Sequence, residues 1–191
     1  MRRLAYGLLL LAVATPASAH LNPDEHGSFM AGASHPWFGV DHILAMVAVG
    51  VWAAMLGGTA IWKLPSAFVA SMVAGFFLAL GGVPLPFVEP MILASVIVLG
   101  LLVATAVRLP LGACVGLCAL FGLFHGHAHG GELGSAGASA FGIGFAASTA
   151  LLHALGVGLA LSLSRQLKSI RGSQVVGALT AVAGAWLVVA G

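Results

Sequence analysis

The sequence predicts an all-α membrane protein, a polytopic bundle of about six transmembrane helices that follows a cleavable signal peptide. Hydrophobic residues make up 60% of the 191 residues and charged residues only 6%, whereas soluble domains average about 25% charged residues. Beyond the N-terminal region, the chain also contains six apolar runs that approach the ~20 residues a helix needs to cross the hydrocarbon core. Together, the low charge and the repeated apolar runs predict the fold class.

The first 19 residues have the three parts of a secretory signal peptide. Arg2 and Arg3 supply positive charge, residues 4–14 form an apolar core, and residues 17–19 read Ala-Ser-Ala, a small-residue cleavage site. An uncleaved first helix is the alternative, but this apolar run is short for a membrane span. Cleavage would leave His20 as the first mature residue of a protein of the bacterial inner membrane.

Residues 20–191 are predicted to form one six-helix transmembrane domain, in which residues 20–36 are a periplasmic leader. The predicted spans cover residues 37–56, 64–81, 88–107, 109–124, 138–163 and 174–190. The basic residues of the mature chain all fall in alternate loops: Lys63, Arg108, Arg165, Lys168 and Arg171. Those loops are cytoplasmic by the positive-inside rule, so both mature termini are expected in the periplasm.

A first polar group stands at the outer end of the first span. His35 and His42 are seven residues apart, or two helical turns, so they share a helix face. Asp41 lies beside them, and an aspartate at a helix centre in a bilayer costs about 2.5–3.5 kcal/mol and indicates function. Asp41 is either a direct metal ligand or the acceptor that orients an imidazole, and Met46 either adds a thioether or packs. The structural alternative is that Asp41 caps the helix and His42 is hydrogen-bonded within the bundle.

A second polar group, FHGHAHGGE, begins at residue 124, where the fourth span reaches the outer side. On a helix His125 and His129 share a face, whereas in an extended segment His125, His127 and His129 alternate. Three imidazoles and the Glu132 carboxylate supply donors for the whole coordination shell of a borderline divalent ion. The alternative is a histidine-rich surface loop that binds metal incidentally.

Two further histidines are candidates for a metal path. His20, as a mature N-terminus, would place an amine beside its imidazole and form a chelate, although a solvated leader without a ligand role is the alternative. His153 lies inside the fifth span, either as the deepest station of a path or as a ligand that completes the site. Alternatively, the hydroxyl of Ser148 or Thr149 simply satisfies the His153 ring.

Several function classes are disfavoured by what the sequence lacks. It contains no GxxxxGK phosphate loop, which argues against direct use of ATP. It also has no basic patch for a phosphate backbone, so no nucleic-acid partner is expected. An enzyme is not expected either, because the HExxH motif is missing and no catalytic base is evident apart from the metal-ligand candidates.

The motifs resemble those of the HupE/UreJ family of bacterial nickel permeases. The resemblance rests on HPWFGVDHILAM, FHGHAHGGE and LHALGVG, in that order along six spans, and it covers essentially the whole chain. It implies uptake of Ni²⁺, or of Co²⁺, for the assembly of a nickel metalloenzyme such as hydrogenase or urease. It also implies that His35, Asp41, His42 and the cluster from His125 to Glu132 contact the metal. The ion would be cargo in a lipid-embedded protein without a prosthetic group, and a homo-oligomer is compatible with this interpretation.

Three hypotheses of different classes follow from the sequence. The first is a secondary transporter driven by the membrane potential through a site lined by histidine and aspartate. The second is a membrane metal sensor or chaperone that binds the ion and transports nothing. The third is an intramembrane metalloenzyme. A permease predicts flux through the purified protein, a sensor predicts binding without flux, and an enzyme predicts turnover that chelators abolish.

Overall fold

The computed structural model describes residues 29–133, 137–167 and 169–190, with the backbone alone for residues 131–133. The described chain folds into helices joined by short connections. A short helix α1 (Phe29–Ser34) and a 3₁₀ turn (His35–Trp37) precede six longer helices: α2 (Val40–Leu56), α3 (Ala60–Leu80), α4 (Val88–Thr105), α5 (Leu111–Leu133), α6 (Ala138–Leu167) and α7 (Arg171–Ala190). The predicted signal peptide and His20 lie outside the described residues.

Five helices, α3 to α7, are long and apolar enough to cross a membrane. A sixth crossing requires two pieces, because α1 with its 3₁₀ turn and α2 qualify only together and are bent by 82° relative to each other. Large apolar side chains face outward, as lipid contact requires; Leu179 and Val182 of α7 are 65% and 68% exposed. The prediction of an all-α membrane bundle of about six spans is confirmed.

All six predicted spans have somewhat different limits in the structure, and two of these differences affect the histidine motifs. Helix α2 begins at Val40 rather than at residue 37, because Gly39 is extended (φ −92°, ψ 113°) and separates α2 from the 3₁₀ turn. Pro36 therefore belongs to that turn and not to the long helix. Helix α5 continues past residue 124 to Leu133, so the FHGHAHGGE segment is helical rather than extended.

Glycines allow close contact between the main helix pairs. The main helix pairs are α3 with α5, α4 with α7 and α2 with α6. A Cβ on Gly126 of α5 would overlap the Met72 carbonyl of α3, and one on Gly156 of α6 would lie 3.1 Å from the Gly50 Cα of α2. Because these positions carry no side chain, the backbones approach closely, as small residues allow between membrane helices.

The two ends of the bundle differ in charge. Each helix that crosses the membrane reverses the direction of the chain, so the start of α2 and the end of α5 lie at the same end, here called the histidine end. The opposite end, called the basic end, carries the described cations Lys63, Arg108, Arg165 and Arg171, which lie in or next to the connections α2–α3, α4–α5 and α6–α7.

Candidate metal centre

Four histidines from separate parts of the chain meet at the histidine end: His35, His42, His125 and His129, here called the histidine cluster. The ring of His129 lies 4.3 Å from that of His35 and 4.8 Å from that of His42, measured between centroids. The ring of His42 lies 4.9 Å from that of His125. The tertiary structure thus joins the two groups that are about 90 residues apart in the sequence.

Local geometry positions each half of the cluster. On α5, His125 and His129 are one turn apart and point to the same side of the helix, where they are 0% and 7% exposed. At the start of α2, a Cβ on Gly39 would lie 2.8 Å from both Asp41 Oδ1 and His42 Nδ1. The absence of a side chain at Gly39 therefore leaves room for the Asp41–His42 pair.

Asp41 and His42 form a closely bonded unit. The carboxylate oxygen Oδ1 accepts the His42 backbone N–H at 2.8 Å and the His42 ring Nδ1–H at 2.9 Å. A carboxylate on one ring nitrogen holds the proton there, so the other nitrogen, Nε2, presents its lone pair. Of the two roles considered for Asp41, this geometry corresponds to the acceptor that orients an imidazole.

The lone pair of His42 faces a second imidazole. His42 Nε2 lies 2.6 Å from His129 Nε2, and because the first nitrogen accepts, His129 donates its Nε2–H. Two ring nitrogens that bind one tetrahedral zinc ion at about 2.0–2.1 Å are about 3.3 Å apart. The two side chains therefore need to separate by less than about 1 Å for a divalent ion to replace the shared proton.

Helix α4 contacts His125 through the hydroxyl of Ser95. His125 Nε2 lies 3.0 Å from the hydroxyl of Ser95 on α4, and that hydroxyl also donates to the Ile92 carbonyl at 2.6 Å. Ser95 is fully buried. Helix α4 thus contributes to a cluster whose histidines come from the 3₁₀ turn, α2 and α5.

Aromatic rings contact the cluster, and three of its four histidines are buried. Phe145 lies 5.0 Å from the His129 ring, Phe68 lies 5.4 Å from the His125 ring, and Phe141 lies 5.8 Å from the His35 ring. In such low-dielectric surroundings an unpaired charge is costly and an electrostatic contact is strong. A cation would therefore enter this site only if the imidazoles replaced its water and the Asp41 carboxylate offset part of its charge.

Among the described side chains, three buried imidazole nitrogens lack a hydrogen-bond partner: His125 Nδ1, His129 Nδ1 and His153 Nε2. Leaving a buried polar atom unsatisfied costs about 1–3 kcal/mol, so their grouping indicates a function other than stability. Among the residues that the structure describes, no three His, Cys, Asp or Glu side chains already have the arrangement of a metal site. Binding would require the side chains to converge.

His153 lies one helical turn deeper than the cluster. Its Nδ1–H donates to the backbone carbonyl of Met46 at 2.8 Å, so the hydroxyls of Ser148 and Thr149 are not its acceptors. The Phe68 ring contacts both His153, at 5.1 Å, and His125, at 5.4 Å. The Met46 side chain is fully buried in the core.

The structure does not bring every predicted site residue into the cluster. His127 points away on the other side of α5, is only half-buried, and donates its Nε2–H to the Val83 carbonyl at 2.8 Å. Glu132 belongs to the last turn of α5, but its side chain is not described. His20 lies outside the described residues. The metal-binding roles of these three residues stay predictions, as do those of the cluster residues.

Sequence reasoning missed Ser95, Phe68 and Phe145. Ser95 was open to detection, because it is the one hydroxyl between Glu89 and Thr105 in an otherwise apolar span. The two phenylalanines carried no such pattern, since the chain has ten phenylalanines and most apolar positions of a membrane helix face either core or lipid.

Comparison with known proteins agrees with the motifs and the fold. A family model described as HupE / UreJ protein matches residues 8–187. The chain belongs to the HupE/UreJ family. It is 47% identical over 189 residues to Protein HupE from Rhizobium leguminosarum bv. viciae, which covers 94% of this chain and 95% of that protein. No solved structure matches this HupE/UreJ protein. The resemblance expected from the motifs is confirmed.

Proposed function

We propose that this HupE/UreJ protein is a permease that takes up a divalent transition metal, Ni²⁺ or Co²⁺, across the bacterial inner membrane. The observation that carries the proposal is the buried histidine cluster with Asp41 bonded to His42. Imidazole suits first-row divalent metals, and a carboxylate bonded to the far ring nitrogen makes the imidazole a better donor. Within the family, this chemistry favours a transporter over an enzyme.

The ion is cargo, and the cluster replaces its water shell. His35 is half-buried at the outer rim and meets the ion first. The Nε2 atoms of His42 and His129 then separate and bind it, and the proton of His129 moves from Nε2 to its unpartnered Nδ1. Asp41 supplies a negative charge that offsets part of the cost of moving a dication into a buried site. Glu132 and His20 are proposed as outer contacts that deliver the ion to this point, and His127, which is bonded to Val83, as an auxiliary contact that contributes little.

His153 is proposed as a deeper station. Its Nε2 is buried and unpartnered, and the Phe68 ring contacts both His153 and His125. An ion that leaves the cluster can bind this nitrogen on its way toward the basic end. Met46 contributes through its carbonyl, which orients His153, while its thioether is available as a soft donor.

The membrane potential is a sufficient driving force. A unit charge gains about 2.3 kcal/mol per 100 mV, so a dication crossing ~150 mV gains about 7 kcal/mol. That corresponds to an inward bias of about 10⁵. The direction requires the histidine end in the periplasm and the basic end in the cytoplasm, with both mature termini periplasmic, as the positive-inside rule predicts. No prosthetic group is needed, and a nickel metalloenzyme would use the product.

The test is nickel entry into proteoliposomes that contain the purified protein, under an imposed inside-negative potential. We expect saturable uptake by the wild type and its loss in His42→Ala. Ser164→Ala is the control, because it removes an exposed hydroxyl near the basic end, far from the cluster. Cobalt, zinc and copper(II) run in parallel would rank the cargo. Tight binding of nickel without flux by the wild type would overturn the permease in favour of a sensor or chaperone.

A further inference from the structure

The hydroxyl of Ser95 has only one hydrogen, and its two polar neighbours decide which of them accepts that hydrogen. Ser95 Oγ lies 2.6 Å from the Ile92 carbonyl oxygen and 3.0 Å from His125 Nε2. A carbonyl oxygen can only accept, so the Ser95 hydrogen must point to Ile92. A hydroxyl that has given its hydrogen to one partner can only accept from the other.

His125 must therefore carry its proton on Nε2 and donate it to Ser95. The neutral ring has one N–H, so Nδ1 keeps a bare lone pair. That nitrogen is buried and without a hydrogen-bond partner, in a ring whose centroid lies 4.9 Å from that of His42. Ser95 thus acts on His125 in the same sense as Asp41 acts on His42, since each fixes the proton on one ring nitrogen and leaves a lone pair on the other.

We propose that Ser95 is a positioning residue of the metal path, which makes His125 bind the cation through Nδ1. The inference rests on the proposed function for its cation, and it adds a residue from α4 to a site otherwise built from the 3₁₀ turn, α2 and α5. Both Ser95 and His125 are 0% exposed, so no water can take over the role of the hydroxyl. Partners of this kind typically change metal affinity or activity by about 10–100-fold.

The experiment compares wild type with Ser95→Ala in detergent and in proteoliposomes. The control Ser164→Ala removes a hydroxyl that makes the same bond, to the carbonyl three residues earlier, without any histidine attached. We expect nickel affinity to fall about 10–100-fold in Ser95→Ala and to stay unchanged in the control. The visible absorption spectrum of bound cobalt should change in Ser95→Ala, because one imidazole is lost or misplaced.

A second readout reports the tautomer itself. In ¹⁵N-histidine spectra of the metal-free protein, with His125 assigned by His125→Ala, we expect the Nε2–H form in the wild type and a mixture of forms in Ser95→Ala. A purely structural serine would leave both the tautomer and the cobalt spectrum unchanged. An Nδ1–H form in the wild type, or unchanged nickel affinity in Ser95→Ala, would overturn the inference.

The two proposals fail in different ways. If the wild type binds nickel without flux but Ser95→Ala weakens binding and alters the tautomer, the transport proposal fails and the role of Ser95 stands. If the wild type transports nickel and Ser95→Ala does so equally well with an unchanged cobalt spectrum, only the role of Ser95 fails.

Discussion

Two faces of helix α5 carry histidines, and they have different surroundings. On one face His125 and His129 are buried against α2, α4 and the 3₁₀ turn, and each retains an unpartnered ring nitrogen. On the other face His127 is half-buried and donates its Nε2–H to the Val83 carbonyl of the α3–α4 connection. Residues only two positions apart on a helix point about 200° apart, which explains the separation.

This comparison shows that a histidine-rich motif is not by itself a ligand set. The helix period assigns alternate histidines of FHGHAHGGE to opposite sides, and only one side meets Asp41 and His42. Between the two faces runs a row of glycines, Gly122, Gly126 and Gly130, that packs against the backbone of α3. The same helix thus combines a candidate metal face, a packing face and an outward face.

The largest effect on nickel uptake is expected for a substitution on the buried face of α5. His129→Ala removes the nitrogen that lies 2.6 Å from His42 Nε2, and we expect nickel uptake to fall by at least ~100-fold, beyond the range for residues that only orient a ligand. Uptake into proteoliposomes measures it, with the folded amount checked by size-exclusion chromatography. Uptake within threefold of the wild type would show that the buried face is not the metal face.

Asp41→Asn tests the carboxylate that orients His42, the imidazole that faces His129. The amide lacks the negative charge and can donate as well as accept, so it no longer keeps the proton on His42 Nδ1. We expect nickel affinity, measured by calorimetry, to fall about 10–100-fold. A loss as complete as that of His129→Ala would instead indicate that Asp41 is a direct ligand.

Gly126→Ala tests the packing face. A Cβ there would overlap the Met72 carbonyl, and overpacking of this kind costs about 1–3 kcal/mol. Gly116→Ala on the same helix is the matched control, because nothing lies within 4 Å of its Cβ position and alanine favours a helix over glycine by up to about 1 kcal/mol. In thermal unfolding in detergent, we expect Gly126→Ala to melt at a lower temperature than Gly116→Ala. Equal melting temperatures would contradict the close α3–α5 contact.

The smallest effect is expected at His127. His127→Ala removes one partly exposed hydrogen bond to Val83, worth about 0.5–1.5 kcal/mol. We expect nickel uptake to stay within about threefold of the wild type, measured beside His129→Ala in the same vesicles. If the two variants lose uptake equally, His127 is also a ligand and the sorting of histidines by helix face does not describe the site.

The sequence predicted most of the fold and that the two histidine motifs lie at the same end of the bundle. Low charge and six apolar runs indicated the membrane bundle, and the His35–His42 and His125–Glu132 motifs were assigned to the same side of the membrane. These predictions succeed because the cost of polar groups in lipid restricts the pattern strongly. The limits of the first span were less predictable, since Gly39 decides where α2 begins only once its neighbours are in place.

Composition and motif order by themselves determined the class of protein, its approximate number of spans and the candidate donors. Tertiary structure decided which donors meet, which imidazole nitrogen of His42, His125 and His153 carries the proton, and which side of α5 faces the cluster. The reason is physical: apolar runs and costly charges are local properties of the chain. The position of a proton on an imidazole depends on an acceptor from another helix, such as Ser95 for His125. The residues next to a histidine in the sequence do not predict that contact.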